Sequence, residues 1–102
     1  MGNKRVPLPY QTTYTRTFRK AWTRYYKTGR YDLSEAVSAM NLVASRLPLP
    51  AFYRDHELTG DYEGFRELHI GGDFLLVYLV DDDKEVITYT HLGTHAELFK
   101  NG

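Results

Sequence analysis

The sequence predicts one small α+β domain, and three observations carry that expectation. Apolar residues recur at helical spacing through the first half of the chain. After Gly64 they gather into short runs of β-branched, aromatic and aliphatic residues, and three consecutive aspartates separate the last two runs. At 102 residues, 42% of them hydrophobic, the chain has enough apolar surface for a single core and buries about two-thirds of its unfolded area.

Val6-Pro7-Leu8-Pro9-Tyr10 reads as extended, because proline fixes φ and biases the preceding residue toward β or polyproline geometry. Prolines cannot donate to a ladder, so this segment is at most an edge strand. A helix is expected from about Thr13 to Lys27, with Tyr14, Phe18, Trp22 and Tyr25 or Tyr26 on its apolar face and Gly29 as its stop. Asp32 followed by Glu35 resembles a capping box. The helix it opens carries Leu33, Ala36, Val37, Met40, Val43, Ala44 and Leu47 inward, and Pro48 and Pro50 end it. The short Gly-containing connection makes the two helices an antiparallel hairpin.

A loop is expected over residues 51–60. Phe65 to Ile70, Phe74 to Val80 and Val86 to Leu92 follow as strands. Asp81-Asp82-Asp83-Lys84 joins the last two. The middle run is apolar on both faces, which places it at the centre of a small, mainly antiparallel sheet with the helices on one side. Ala96 to Phe99 is expected to form a last helical turn.

Composition removes several classes. The chain has no cysteine, which excludes disulfides and thiolate metal sites. No apolar run approaches the ~20 residues of a membrane span. The N-terminus lacks a secretory h-region, and Val6 stands where a myristoylation motif needs Ser or Thr. A cytoplasmic protein is expected. Thirteen basic residues balance thirteen acidic ones, so the usual basic excess of a nucleic-acid binder is missing. The distribution is uneven, however: lysines and arginines crowd between Arg16 and Arg30 without an acid, and Asp81–Asp83 is acidic.

Candidate chemistry concentrates between Asp55 and Asp73. His69 falls near a strand end beside Gly71-Gly72-Asp73, where loops on a rigid sheet carry reactive groups; a histidine satisfied by a backbone carbonyl is the plain alternative. His56 follows Arg54-Asp55 in a loop, where an idle exposed imidazole is common. Arg66 has a plain alternative as the ion-pair partner of an acid. His91 and His95 are four apart, a helical metal-ligand spacing, but His91 reads as strand and Gly93 intervenes. No metal site or cofactor is therefore expected.

Together these residues match a pattern. Arg54-Asp55-His56-x-Leu58-x-Gly60, Gly64-Phe65-Arg66-x-x-His69-Ile70-x-x-Asp73-Phe74, Leu76-Val77-Tyr78 and Gly93-Thr94-His95-x-x-Leu98-Phe99 resemble the YafQ-like branch of the RelE/ParE toxin superfamily. The likeness covers most of the chain and its order of elements. It implies a RelE/ParE-like fold and the toxin of a type II toxin–antitoxin module. Such toxins cut messenger RNA in the ribosomal A site without metal and are neutralised by a cognate antitoxin. The implied partners are thus antitoxin, ribosome and mRNA, with no membrane.

The same resemblance implies site residues His56, His69, Asp73, His95 and Phe99. Attack of a ribose 2′-oxygen on the adjacent phosphorus needs a base, an acid at the departing 5′-oxygen and positive charge at the phosphate. On this expectation His95 is the acid, His56 or Asp73 the base and His69 the phosphate ligand, with Arg54, Arg66 and His91 as substrate-binding candidates. Phe99 stacks on a base or holds His95. Three departures stand out, one of them the balanced net charge, since such toxins tend to be basic. His91 occupies the place where relatives commonly carry arginine, a permanently charged bidentate phosphate ligand. Gly72-Asp73-Phe74 replaces Pro-Asp-Trp, which predicts a looser turn. A degenerate antitoxin-binding module and a ParE-like gyrase inhibitor are the alternative readings.

Overall fold

The computed structural model describes residues 8–99. Val6 and Pro7 of the expected extended segment lie outside them. Strand β1 (Gln11–Tyr14) leads into α1 (Arg16–Thr28) and α2 (Leu33–Ser45), then β2 (His56–Glu57), β3 (Arg66–Gly71), β4 (Phe74–Asp81), β5 (Val86–Thr94) and a short α3 (His95–Leu98). The five strands order as β1-β5-β4-β3-β2, with β1 parallel to β5 and every other pair antiparallel. The apolar run is β4, central as its composition predicts. The edge strand is four residues long and forms directly after the expected proline-containing segment, at Gln11–Tyr14, where each residue retains an N–H for pairing.

Helix α1 begins later than expected because Thr15 caps it. The Thr15 hydroxyl accepts from the Phe18 amide at 3.1 Å and donates to the Thr90 carbonyl at 2.8 Å, pinning the helix start to β5. Tyr14 consequently ends β1 and is 41% exposed rather than a core residue of the helix. Gly29, at φ +67, closes α1 in the left-handed region. Asp32 caps α2 by accepting from the Ser34 amide at 2.9 Å. Arg46, also left-handed, ends α2 before the prolines and leaves Leu47 exposed instead of buried; Val37, within the helix, is also exposed, on the side away from buried Ala36, Ala39 and Val43.

One core lies between the helices and one sheet face: Phe18, Ala21 and Tyr25 from α1, Ala39 and Val43 from α2, against Leu68, Phe74, Leu76, Tyr78, Ile87, Tyr89 and Leu92. Among the described residues no helix is long and apolar enough to cross a membrane.

Two irregularities position the other face. In β5, Tyr78 pairs with Tyr89 while Val77 pairs with His91, leaving Thr90 as an extra residue. Side chains two apart on a regular strand share a face, so this bulge turns His91 and Gly93 away from the core that holds Tyr89. The loop expected over residues 51–60 contains a 3-10 turn, Ala51–Tyr53, and the two-residue strand β2. Asp55 ties that loop down by accepting from Arg66 Nε and Nη2 at 3.0 and 2.6 Å, and from the Tyr78 hydroxyl.

Asp55→Ala is expected to cost about 1–3 kcal/mol, since it strands the donors of two part-buried side chains, Arg66 and Tyr78. Urea unfolding measures it, and a change within error would show that water replaces the carboxylate freely.

Candidate active site

The face opposite the core carries the titratable groups. His56 on β2 stands across from Glu67 on β3, which stands across from Val77 on β4, which in turn faces His91 on β5. The next row is His69, Leu75 and Gly93. With strands ~4.8 Å apart, the backbones of His69 and Gly93 are separated by about 10 Å.

Glu67 is the centre of the first half-site. Its side chain is only 6% exposed, and its Oε1 lies 3.3 Å from His56 Nε2 and 3.7 Å from His69 Nε2. Burying a carboxylate among apolar strands is costly unless it is paired, and the two imidazoles provide the partners. His56 Nδ1 meets the Arg54 carbonyl at 2.8 Å, while His69 Nδ1 lies 3.2 Å from Arg54 Nη2 and 3.4 Å from the Gly72 carbonyl. A protonated His56 thus donates from Nδ1 to the Arg54 carbonyl while its Nε2 stands within ion-pair range of Glu67. Arg54 reaches both rings because its backbone is left-handed, at φ 50, a conformation costing a non-glycine residue of order 1 kcal/mol. His56, Glu67 and His69 also place three donor atoms within 4.8 Å of one another, a set able to hold a transition-metal ion.

Glu67 was not among the expected site residues. The signal was available: Glu67 and His69 are two apart on a strand and must share a face, with Leu68 between them turned into the core.

The second half-site lies at the end of β5. His95 opens α3, exposed, with its amide donating to the Asp73 carbonyl at 3.1 Å. The ring of Phe99 lies 5.2 Å from His95 and 5.3 Å from Tyr62, and Tyr62 presents its edge to His91 at 6.1 Å. Asp73 is exposed in the β3–β4 turn, to which it contributes that carbonyl. Gly72 has φ +57, which proline cannot adopt. The expected loosening is therefore better described as a different turn.

Arg66 does not join either half. It precedes Glu67, so its side chain leaves the opposite face, where Asp55 occupies the guanidinium. Its plain alternative as an ion-pair partner is what the fold builds. His91 faces the site but is half-buried with its Nδ1 3.0 Å from the Thr90 hydroxyl. Burial lowers its pKa below the usual 6.5, so the ring is neutral near neutral pH. The sign follows directly: stability that depends on the neutral ring is complete above about pH 6.5 and is lost as pH falls through the lowered folded value.

A paired carboxylate and two imidazoles on one rim, with the exposed imidazole of His95 on the other, suit proton transfer across a phosphodiester. The fold itself is that of RelE-like toxins. The metal-bound toxin from Helicobacter pylori superposes with a TM-score of 0.82 at 32% identity, covering 88% of this chain and 99% of that one. YafQ in the Escherichia coli DinJ–YafQ toxin–antitoxin complex gives 0.80 at 31% identity, covering 90% and 99%. The mRNA interferase toxin YafQ of Escherichia coli K12 is 41% identical over 58 residues, 57% of this chain and 61% of that protein. The family model for the bacterial toxin of type II toxin–antitoxin system, YafQ, matches residues 10–100. The chain belongs to the YafQ toxin family.

Proposed function

We propose that this protein is a cytoplasmic, metal-independent endoribonuclease that cuts messenger RNA in the ribosomal A site and is held inactive by a cognate antitoxin. The observation that carries the chemistry is Glu67 buried between His56 and His69, across the face from exposed His95. The Escherichia coli relative is named an mRNA interferase, and a YafQ has been solved with its antitoxin DinJ.

In this mechanism Glu67 takes the proton of the ribose 2′-hydroxyl, with His56 sharing it. The 2′-oxygen bonds to phosphorus while the bond from phosphorus to the 5′-oxygen breaks. His95 supplies the proton that the leaving 5′-oxygen requires, leaving a 2′,3′-cyclic phosphate and a 5′-hydroxyl. His69 and Arg54 hold the non-bridging oxygens, and Phe99 stacks on a base next to His95. Asp73 acts through its turn, which aligns the His95 amide.

The test is end-mapping of a defined mRNA on programmed ribosomes. Cuts within the A-site codon with those two ends are expected. Folded protein that makes no cut would favour a degenerate antitoxin-binding module, and gyrase inhibition would indicate a ParE-like activity. Because neutral His91 brings no charge to the phosphate, His91→Arg is expected to raise kcat/KM about tenfold, the value of one charge-assisted hydrogen bond. An unchanged or lower value in the same assay would mean that the half-buried position cannot aim a guanidinium at the substrate.

A further inference from the structure

Helix α3 is only four residues long, His95–Leu98, too short to hold itself in place, yet it begins with the side chain assigned to protonate the leaving group. What holds it is Glu97. The Glu97 amide donates to the Thr94 hydroxyl at 3.2 Å, and Glu97 Oε1 accepts from the Thr94 amide at 3.0 Å, a reciprocal capping box. The same Oε1 accepts from the Tyr25 hydroxyl, and Arg24 Nη2 lies 3.8 Å from Oε2.

Tyr25 is a rigid anchor. It is 3% exposed, its ring edge-on to Phe74 at 4.9 Å and to Tyr31 at 5.6 Å. Phe74 pairs with Thr94 across the sheet and follows Asp73, whose carbonyl holds the His95 amide. Gly93 completes the arrangement through space rather than backbone freedom: a Cβ there would sit 2.7 Å from Glu97 Oε1 and 3.4 Å from Leu98. Burial opposes ionisation of Glu97, but the bonds from Tyr25 and Thr94 and the charge of Arg24 hold its carboxyl below the usual range.

We propose that Tyr25 and Glu97 are positioning residues for the ribonuclease reaction, a latch from the core of α1 that fixes where His95 stands. The inference rests on the ribonuclease reading. It gives each residue around His95 a part: Gly93 makes room for the carboxylate, Thr94 completes the cap, and Glu97 reaches the buried phenol. A misplacement of ~1 Å at a reacting group costs up to about 100-fold in rate, and releasing a four-residue helix permits at least that.

The test compares wild type, Tyr25→Phe, Glu97→Gln and His95→Ala, singly and combined, in the programmed-ribosome cleavage assay, with melting temperatures measured alongside. Tyr25→Phe and Glu97→Gln are each expected to lower kcat about 10- to 100-fold with KM near the wild-type value. Neither is expected to lower it further in the His95→Ala background, because both act through that imidazole. Wild-type kcat in Tyr25→Phe overturns the proposal, as does an equal loss with and without His95.

If Glu97→Gln fails to fold, Tyr25→Phe carries the test, since it removes one hydroxyl and keeps the ring against the stacked pair Phe74 and Tyr31. If wild type makes no cuts, the ribonuclease reading fails first. The latch is then judged by amide exchange at His95, expected to be faster in Tyr25→Phe; equal exchange overturns it.

Discussion

His95→Ala is expected to reduce cleavage of ribosome-bound mRNA by about 10²–10⁴-fold, the usual worth of a positioned general acid. The side chain is exposed at the start of α3, with Phe99 as its ring neighbour at 5.2 Å. Removing it opens no core cavity, so the melting temperature should change little while the rate collapses. Single-turnover cleavage measures the loss directly. A second readout concerns pH. Acid and base groups acting together give a bell-shaped profile, and the limb belonging to the acid should vanish in the variant. Wild-type cleavage by His95→Ala, or a wild-type profile flat from about pH 5 to 9, would remove histidine acid–base chemistry from the mechanism.

Glu67→Gln is expected to have an effect of the same order, about 10²–10⁴-fold, for a different reason. Glutamine preserves the volume and can still hydrogen-bond the imidazoles, but it cannot accept the 2′-hydroxyl proton as a base. The position is nearly closed to solvent, within ion-pair range of both His56 and His69. Removing one partner of a buried ion pair can cost about 3–5 kcal/mol, so urea unfolding is needed to separate a folding defect from a chemical one. Normal kcat in a folded Glu67→Gln protein would return the base to His56 or Asp73 and reduce Glu67 to an electrostatic support for the two rings.

Much of the fold was legible because local chemistry and tertiary packing agree. Phe18 and Tyr25 repeat at helical spacing and are buried; Asp32 caps; Gly29 stops α1; the Phe74–Val80 run, apolar on both faces, lies in the central strand. The failures are places where a contact distant in sequence outweighs local pattern. Tyr14 has helical spacing to Phe18, but the bond from Thr15 to Thr90 starts the helix after it. Strand β2 is two residues long and exists only because β3 lies beside it.

The site divides in the same way. His56, His69 and His95 were readable as imidazoles near loops and strand ends, and their motif identified the toxin family. Glu67 is hard to single out from sequence, since an acid beside an arginine on a strand resembles ordinary surface charge. Arg66 was offered to the substrate, yet Asp55 takes it on the other face.

By itself, then, the sequence determined the class of fold, the family and three of the four side chains proposed to carry the reaction, because these depend on residue type and spacing. Only the tertiary structure decided which groups share a face. Strand register sets Glu67 opposite His56, and the extra residue at Thr90 turns His91 and Gly93 out of the core that their spacing from Tyr89 would have assigned them. A one-residue change of register inverts every following side chain on a strand, and that choice is made by pairing across the sheet.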